Sequence, residues 1–291
     1  MQEICSAEDP NRLALVAPDL IQQVDMIRIT LSVLGVAACL CAQPNTEWAR
    51  QRLDKSSRHG EWVTVKHDNR SVDAFVVYPE VREKAPVVLV IHEIFGMSDW
   101  VQLLADELAQ AGYIAIAPDL LSGMGPNGGG TKSLSSGDVR QAISKLPPDQ
   151  ISADLNAAAD WALKQPSSNG RLFVAGFCWG GGQSFRYATN RPDLKAAFVF
   201  YGDAPPADAM ARIKAPVYGF YAENDARITA SIPDTKEKMK AAGKTYEPVV
   251  YDGAGHGFMR AGDDPNGTAA NVKARNDAWE RWKTLLRQLN K

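Results

Sequence analysis

Gly176-Phe177-Cys178-Trp179-Gly180-Gly181-Gly182 follows a run of buried-strand character, Arg171-Leu172-Phe173-Val174-Ala175, and opens a stretch of helical character that reaches Tyr187. A strand turning directly into a helix between Gly176 and Gly180 has the G-x-S-x-G pattern of a nucleophile elbow, with cysteine in the serine position. The glycines have a physical reason. The central residue sits on a tight, strained turn, and strand and helix approach too closely for side chains at the flanking positions. The helix start aims backbone N–H groups and the positive end of its dipole at a thiolate and at any oxyanion developing beside it. A phosphate-binding turn would carry a P-loop lysine or a G-x-G-x-x-G spacing, and the Gly176–Gly182 turn has neither. Taken alone, the elbow leaves a purely structural turn around a buried, apolar cysteine open.

Working outward, Glu61–Val65 and Val72–Tyr78 read as two strands joined by a polar hairpin turn. Pro86–Ile91 and Tyr113–Pro118 are continuously apolar, as strands covered on both faces should be. Between them, Val101, Leu104, Leu108 and Ala111 recur at helical spacing, with Gly112 as the stop. Ser122–Gly137 is rich in glycine and serine and reads as a loop and candidate mobile rim. Gln150–Lys164 reads as a helix, then Ala196–Tyr201, Val217–Tyr221 and Glu247–Tyr251 as strands. A short helix, Thr235–Ala242, and an amphipathic one, Ala269–Leu289, complete the pattern. Strands alternating with helices predict an α/β fold: a single domain with a mostly parallel central sheet and helices on both faces. Ligands of such sheets sit at the carboxyl ends of the strands.

A thiol nucleophile there needs a base, and the base an orienting carboxylate. The histidines are His59, His67, His92 and His256. His59 and His67 flank the first strand and read as solvated loop residues. His256, between Gly255 and Gly257 after the last strand, is poorly explained by core packing. Asp225 follows the strand Val217–Tyr221, with Glu223 as its rival and a simple helix-capping role as the alternative. Cys178, Asp225 and His256 stand in the chain order of an α/β-hydrolase, nucleophile then acid then histidine, each after a different strand.

His92-Glu93-Ile94-Phe95-Gly96, Ala117-Pro118-Asp119-Leu120, Gly176-Phe177-Cys178-Trp179-Gly180-Gly181 and Ala254-Gly255-His256-Gly257-Phe258-Met259-Arg260 together resemble the dienelactone hydrolase family. The resemblance spans about Gly60 to Leu289. It implies hydrolysis of enol-lactones and related esters without metal or cofactor. It also implies that Glu93 pairs at rest with an arginine, matched by Arg260, and swings to deprotonate Cys178 when a substrate carboxylate takes that arginine. The backbone N–H groups of Ile94 and Trp179 would form the oxyanion hole, and Arg140 is a second candidate for binding carboxylate. His92 stands where glutamine is usual in the family, and Trp179 places a bulky aromatic beside the nucleophile.

The composition is that of a globular enzyme-sized chain: 291 residues, 45% hydrophobic, 23% charged, net charge −2. Neither nucleic acid nor an acidic membrane surface is called for as partner. A small-molecule ester or lactone is the expected partner, and a monomer the expected state. Cys5, Cys39 and Cys41 lie near the N-terminus and Cys178 alone in the rest, which is neither a disulfide framework nor a zinc site. Residues 26–42 have the basic start, apolar stretch and small-residue end of a secretory signal, and Val36-Ala37-Ala38-Cys39 resembles a lipoprotein cleavage site. The expected organisation is an upstream extension from a mis-called start codon over 1–25, a signal over 26–42, a polar linker over 43–59 and the hydrolase domain over 60–291. Export to a bacterial periplasm, with a lipid anchor on Cys39 as a variant, follows from it; an ordinary N-terminal helix would leave the protein cytoplasmic. The competing functional class is an exported binding or redox-sensing protein that keeps the fold and uses Cys178 only as a thiol.

Overall fold

A computed structural model describes residues 44–291. The extension, the signal and Cys39 lie outside the described residues.

Eight strands, β1 (Gly60–His67), β2 (Arg70–Val77), β3 (Ala85–Ile91), β4 (Ile114–Pro118), β5 (Ser168–Phe177), β6 (Leu194–Phe200), β7 (Val217–Asn224) and β8 (Tyr246–Gly255), form one sheet in the order β1-β2-β4-β3-β5-β6-β7-β8. The β1–β2 hairpin and the β2–β4 pair are antiparallel, and every pairing from β4 to β8 is parallel. Alternate side chains of each central strand enter opposite layers. Val88 and Val90 of β3 pack with Phe173, Ala175 and Phe177 of β5 under the helices Asp99–Gln110 and Ala269–Leu289. Val87, Leu89 and Ile91 pack with Leu172 and Val174 under Pro148–Leu163, Trp179–Asn190 and Ile232–Ala241. All five of these β3 side chains are fully buried, each contributing about 1.5–3 kcal/mol.

Register then fixes which residues meet. Ile91 pairs with Gly176, Phe177 with Phe200, Phe200 with Phe220, and Asn224 with Gly255. The Phe177, Phe200 and Phe220 rings stack at 4.5 and 4.3 Å, and Trp282 meets Phe200 edge-on at 5.0 Å. Such pairs contribute about 0.5–1.5 kcal/mol beyond burial. Here they level the strand ends from which the next residues project.

Three segments differ from the sequence expectation. The stretch read as polar linker contains a helix, Glu47–Leu53, whose Ala49 is buried in the core. Ser122–Gly137 is not a loose rim. It holds 3₁₀ turns at Pro126–Gly128 and Thr131–Ser133, fastened where the Thr131 N–H and hydroxyl both donate to the Asp119 carboxylate at 2.7 Å. His67 is not solvated: its Nε2 lies 2.7 Å from the fully buried Asp154, which also accepts from Arg70 at 2.9 Å.

Candidate active site

Cys178 follows β5 with φ 57° and ψ −119°, a left-handed backbone that is costly for any residue but glycine. Its N–H donates to the Phe200 carbonyl at 3.1 Å, and its own carbonyl accepts from the Gly181 N–H at 2.9 Å. A Cβ on Gly176 would come within 1.9 Å of the Gly180 carbonyl oxygen. One on Gly180 would come within 2.5 and 2.3 Å of the Ile91 and His92 carbonyl oxygens. The helix Trp179–Asn190 can therefore begin against the ends of β3 and β5 only where side chains are missing. Its first N–H groups, including that of Trp179, have no intrahelical acceptor.

Asp225 and His256 come from the neighbouring ends of β7 and β8. The His256 Nδ1–H donates to Asp225 Oδ2 at 2.5 Å, and the Cys178 side chain favours charge on the same ring. Asp225 is 8% exposed and makes no side-chain cap to the turn that follows it, so the helix-capping alternative does not hold. Glu223, the rival acid, points away and accepts from the Gly253 N–H at 2.7 Å. Burial disfavours charge on His256, but hydrogen bonds and charge from Cys178 and then Asp225 outweigh it and raise its pKa to about 9. That direction favours the charged ring at neutral pH.

Gly257, left-handed at φ 77°, turns the chain from β8 into the helix Phe258–Asp263. That helix carries Arg260, whose Nε donates to Glu93 Oε2 at 2.7 Å while its guanidinium lies 5.3 Å from the centre of the Phe95 ring. Burial opposes the arginine's charge, and the Glu93 carboxylate more than offsets it. The far end of the helix is anchored through Asp263, which accepts from Trp100 Nε1 at 3.2 Å and pairs with Arg52 and Arg275 at 3.2 and 3.1 Å.

Ile94 lies in the turn after β3. The Glu93 carbonyl accepts from the Gly96 N–H at 3.1 Å, and since the Glu93–Ile94 peptide is trans, the Ile94 N–H faces the opposite way. Arg140 sits half-buried on the helix Ser136–Ser144, beside Val139.

Tyr201 was not anticipated. It follows β6 in a left-handed conformation, φ 39°, with its ring 5.1 Å from His256 and 5.3 Å from Phe258. Burial, reinforced by the charges of Glu93 and Cys178, holds its phenol far above the usual range, so it stays protonated. The available signal was positional: Tyr201 is the residue next after a parallel strand, at the same sheet edge as the others.

The family model described as the dienelactone hydrolase family matches residues 72–290. A curated Salmonella typhi protein named "Putative carboxymethylenebutenolidase" is 36% identical over 233 residues, covering 75% of this chain and 83% of its own. A protein of the same name from Methylorubrum extorquens is 32% identical over 267 residues, covering 88% and 90%. A crystal structure from Klebsiella pneumoniae, described as a "Putative Dienelactone Hydrolase", superposes with TM-score 0.70 at 29% identity, over 80% of this chain and all of that one. With the mostly parallel eight-stranded sheet and its helices on both faces, these matches establish that the chain belongs to the dienelactone hydrolase family and is a hydrolase of the α/β-hydrolase fold.

Proposed function

We propose that the protein hydrolyses an activated carboxylic ester or lactone of the dienelactone type, with Cys178 as nucleophile, His256 as acid and base, and Asp225 orienting it. The carrying observation is the left-handed Cys178 at the start of a helix, at the same sheet edge as a histidine that Asp225 holds through Nδ1.

The Cys178 thiolate adds to the substrate carbonyl, and the Ile94 and Trp179 N–H groups receive the oxyanion. Collapse breaks the carbonyl–oxygen bond, His256 gives its proton to the leaving oxygen, and a thioester remains. Acylation removes the thiolate, and with it the hydrogen bond and charge that favour imidazolium most. Burial then favours the neutral ring, which is the form that can take a proton from water. The hydroxide adds to the thioester, the carboxylic acid leaves, and the expelled thiolate re-forms the pair with protonated His256.

A thiolate leaves a tetrahedral intermediate more readily than an alkoxide does. Enol and aryl esters, whose leaving groups are stabilised, are therefore the favoured substrates, alkyl esters poor ones, and amides none. A substrate carboxylate would bind Arg260 and displace Glu93 from it. The small-molecule substrate needs no cofactor in this scheme. Export to the periplasm is proposed from residues 26–42; N-terminal sequencing of exported material tests it, and a mature chain still carrying Met26–Ala42 refutes it.

The functional test is hydrolysis of p-nitrophenyl acetate and of a dienelactone by the wild type, Cys178→Ala and Cys178→Ser. Loss of at least about a thousandfold in kcat with Cys178→Ala is expected, with the lactone preferred. Activity indifferent to Cys178 would refute the thiol mechanism. Reversible oxidation of Cys178 in a hydrolytically inert protein would instead favour a redox-sensing role.

A further inference from the structure

His92 is fully buried at the end of β3. Its Nδ1 lies 2.8 Å from the Glu93 carbonyl oxygen, and a carbonyl can only accept, so Nδ1 carries the proton and donates. Nε2 makes no hydrogen bond among the described residues. Burial lowers the ring's pKa, so it remains the neutral tautomer. The Glu93 carbonyl thus receives two donors, His92 Nδ1–H and the Gly96 N–H at 3.1 Å, and these fix the plane of the Glu93–Ile94 peptide. In that trans peptide the Ile94 N–H is antiparallel to the carbonyl, so whatever holds the carbonyl aims the N–H.

The same ring stacks on the Trp179 indole, centroids 5.5 Å apart and planes 18° from parallel. Gly180, the next residue, lies so close to the His92 carbonyl that a Cβ would approach it to 2.3 Å. One buried side chain therefore touches both peptide segments that supply the oxyanion donors, from β3 on one side and the helix start on the other. We propose that His92 is a positioning residue for the oxyanion hole: its Nδ1–H holds the Ile94 N–H in line, and its ring seats Trp179. The proposal rests on the assignment of Ile94 and Trp179 as the donors.

His92→Phe keeps the stack and removes the donor, whereas His92→Gln keeps a donor and removes the ring. Removing an oxyanion donor outright costs about 10²–10³ in kcat, and misaligning one costs less. His92→Phe is expected to lose about 10- to 100-fold in kcat on p-nitrophenyl acetate, with KM within about twofold, the signature of an interaction made in the transition state. Alkylation of Cys178 by iodoacetamide forms no oxyanion, so its rate should be unchanged. His92→Gln, which restores a donor but not the stack on Trp179, should recover part of the lost kcat. Full activity in His92→Phe, or equal impairment in His92→Gln, would overturn the proposal in favour of simple packing.

Nitrogen-15 NMR of the histidine-labelled wild type provides a second readout that does not depend on activity. It should show one ring, absent from His92→Gln, protonated at Nδ1 and not titrating; protonation at Nε2 would also overturn the proposal. Wild-type protein inert toward p-nitrophenyl acetate would count against the hydrolase mechanism, and the tautomer would then decide the part played by His92.

Discussion

Glu93 and Arg260, 167 residues apart in the chain, meet through a 2.7 Å hydrogen bond in which the carboxylate is 2% exposed and the guanidinium 19%. Gly257 packs against both partners: a Cβ there would lie 3.3 Å from an Arg260 nitrogen and 3.7 Å from the other Glu93 oxygen. The pair is enclosed on the protein side and open only past the arginine.

Arg260→Met should therefore leave a buried carboxylate unpaired. Urea denaturation is expected to show a loss of about 2–3 kcal/mol, below the full range for a buried pair because Arg260 keeps some solvent. Adding Glu93→Gln should recover part of that loss. On substrates, Arg260→Met should raise KM for a carboxylate-bearing lactone far more than for p-nitrophenyl acetate; equal effects on both would remove Arg260 from substrate binding.

The left-handed backbone of Cys178 is a cost carried for position. Cys178→Gly and Cys178→Ala lose the same thiol, yet only glycine accepts φ 57° freely. The glycine variant should be about 1 kcal/mol more stable than the alanine variant by thermal unfolding, both being inactive. Equal stabilities would mean that the turn relaxes without the sulfur.

His256 should titrate near pH 9 in the wild type. Its folded pKa lies above the unfolded value of 6.5, so the stability it contributes is complete below pH 6.5 and is lost as pH rises through about 9. Cys178→Ala removes the thiolate's contribution and leaves burial against Asp225 alone. Proton NMR of the His256 ring should then show a clearly lower midpoint, and an unchanged one would deny that Cys178 acts on the ring's charge.

Two glycines should respond oppositely to alanine. At Gly180 the new Cβ would meet the backbone carbonyls of Ile91 and His92 at 2.5 and 2.3 Å, neither of which can yield cheaply. More than about 3 kcal/mol of stability should be lost there. At Gly137, in the first turn of Ser136–Ser144, nothing lies within 4 Å of the added carbon, and alanine should stabilise by up to about 1 kcal/mol. Urea midpoints of the two variants decide both.

The parts of the fold visible in the sequence are those where burial writes a pattern. Pro86–Ile91 is covered on both faces and so reads as a continuous apolar run. Ala274, Ala278, Trp279, Trp282 and Leu286 mark the last helix at its own period. Glu47–Leu53 and Phe258–Asp263 were hidden because helices of seven and six residues contain too few turns to show a period. Their stability is tertiary, through Ala49 in the core and Asp263 among Trp100, Arg52 and Arg275. Within the site, Cys178, Asp225 and His256 could be nominated because strand ends and glycines announce them. Tyr201 and His92 could not, because their places beside the site depend on a ring's distance and on which ring nitrogen carries the proton.

The strand order has a kinetic consequence. β5, which ends at Phe177 just before Cys178, is flanked by β3 and β6, and three α-helices and β4 separate β3 from it in the chain. Asp225 and His256 arrive only with β7 and β8. Pairings of such long sequence separation form late, because the entropy of closing the intervening loops must be lost before any contact offsets it. During refolding, secondary structure should return before the reactivity of Cys178 does. Recovery of hydrolysis thus times the closure of the sheet from β3 to β8, and a chain cut anywhere between those strands holds no partial form of the site.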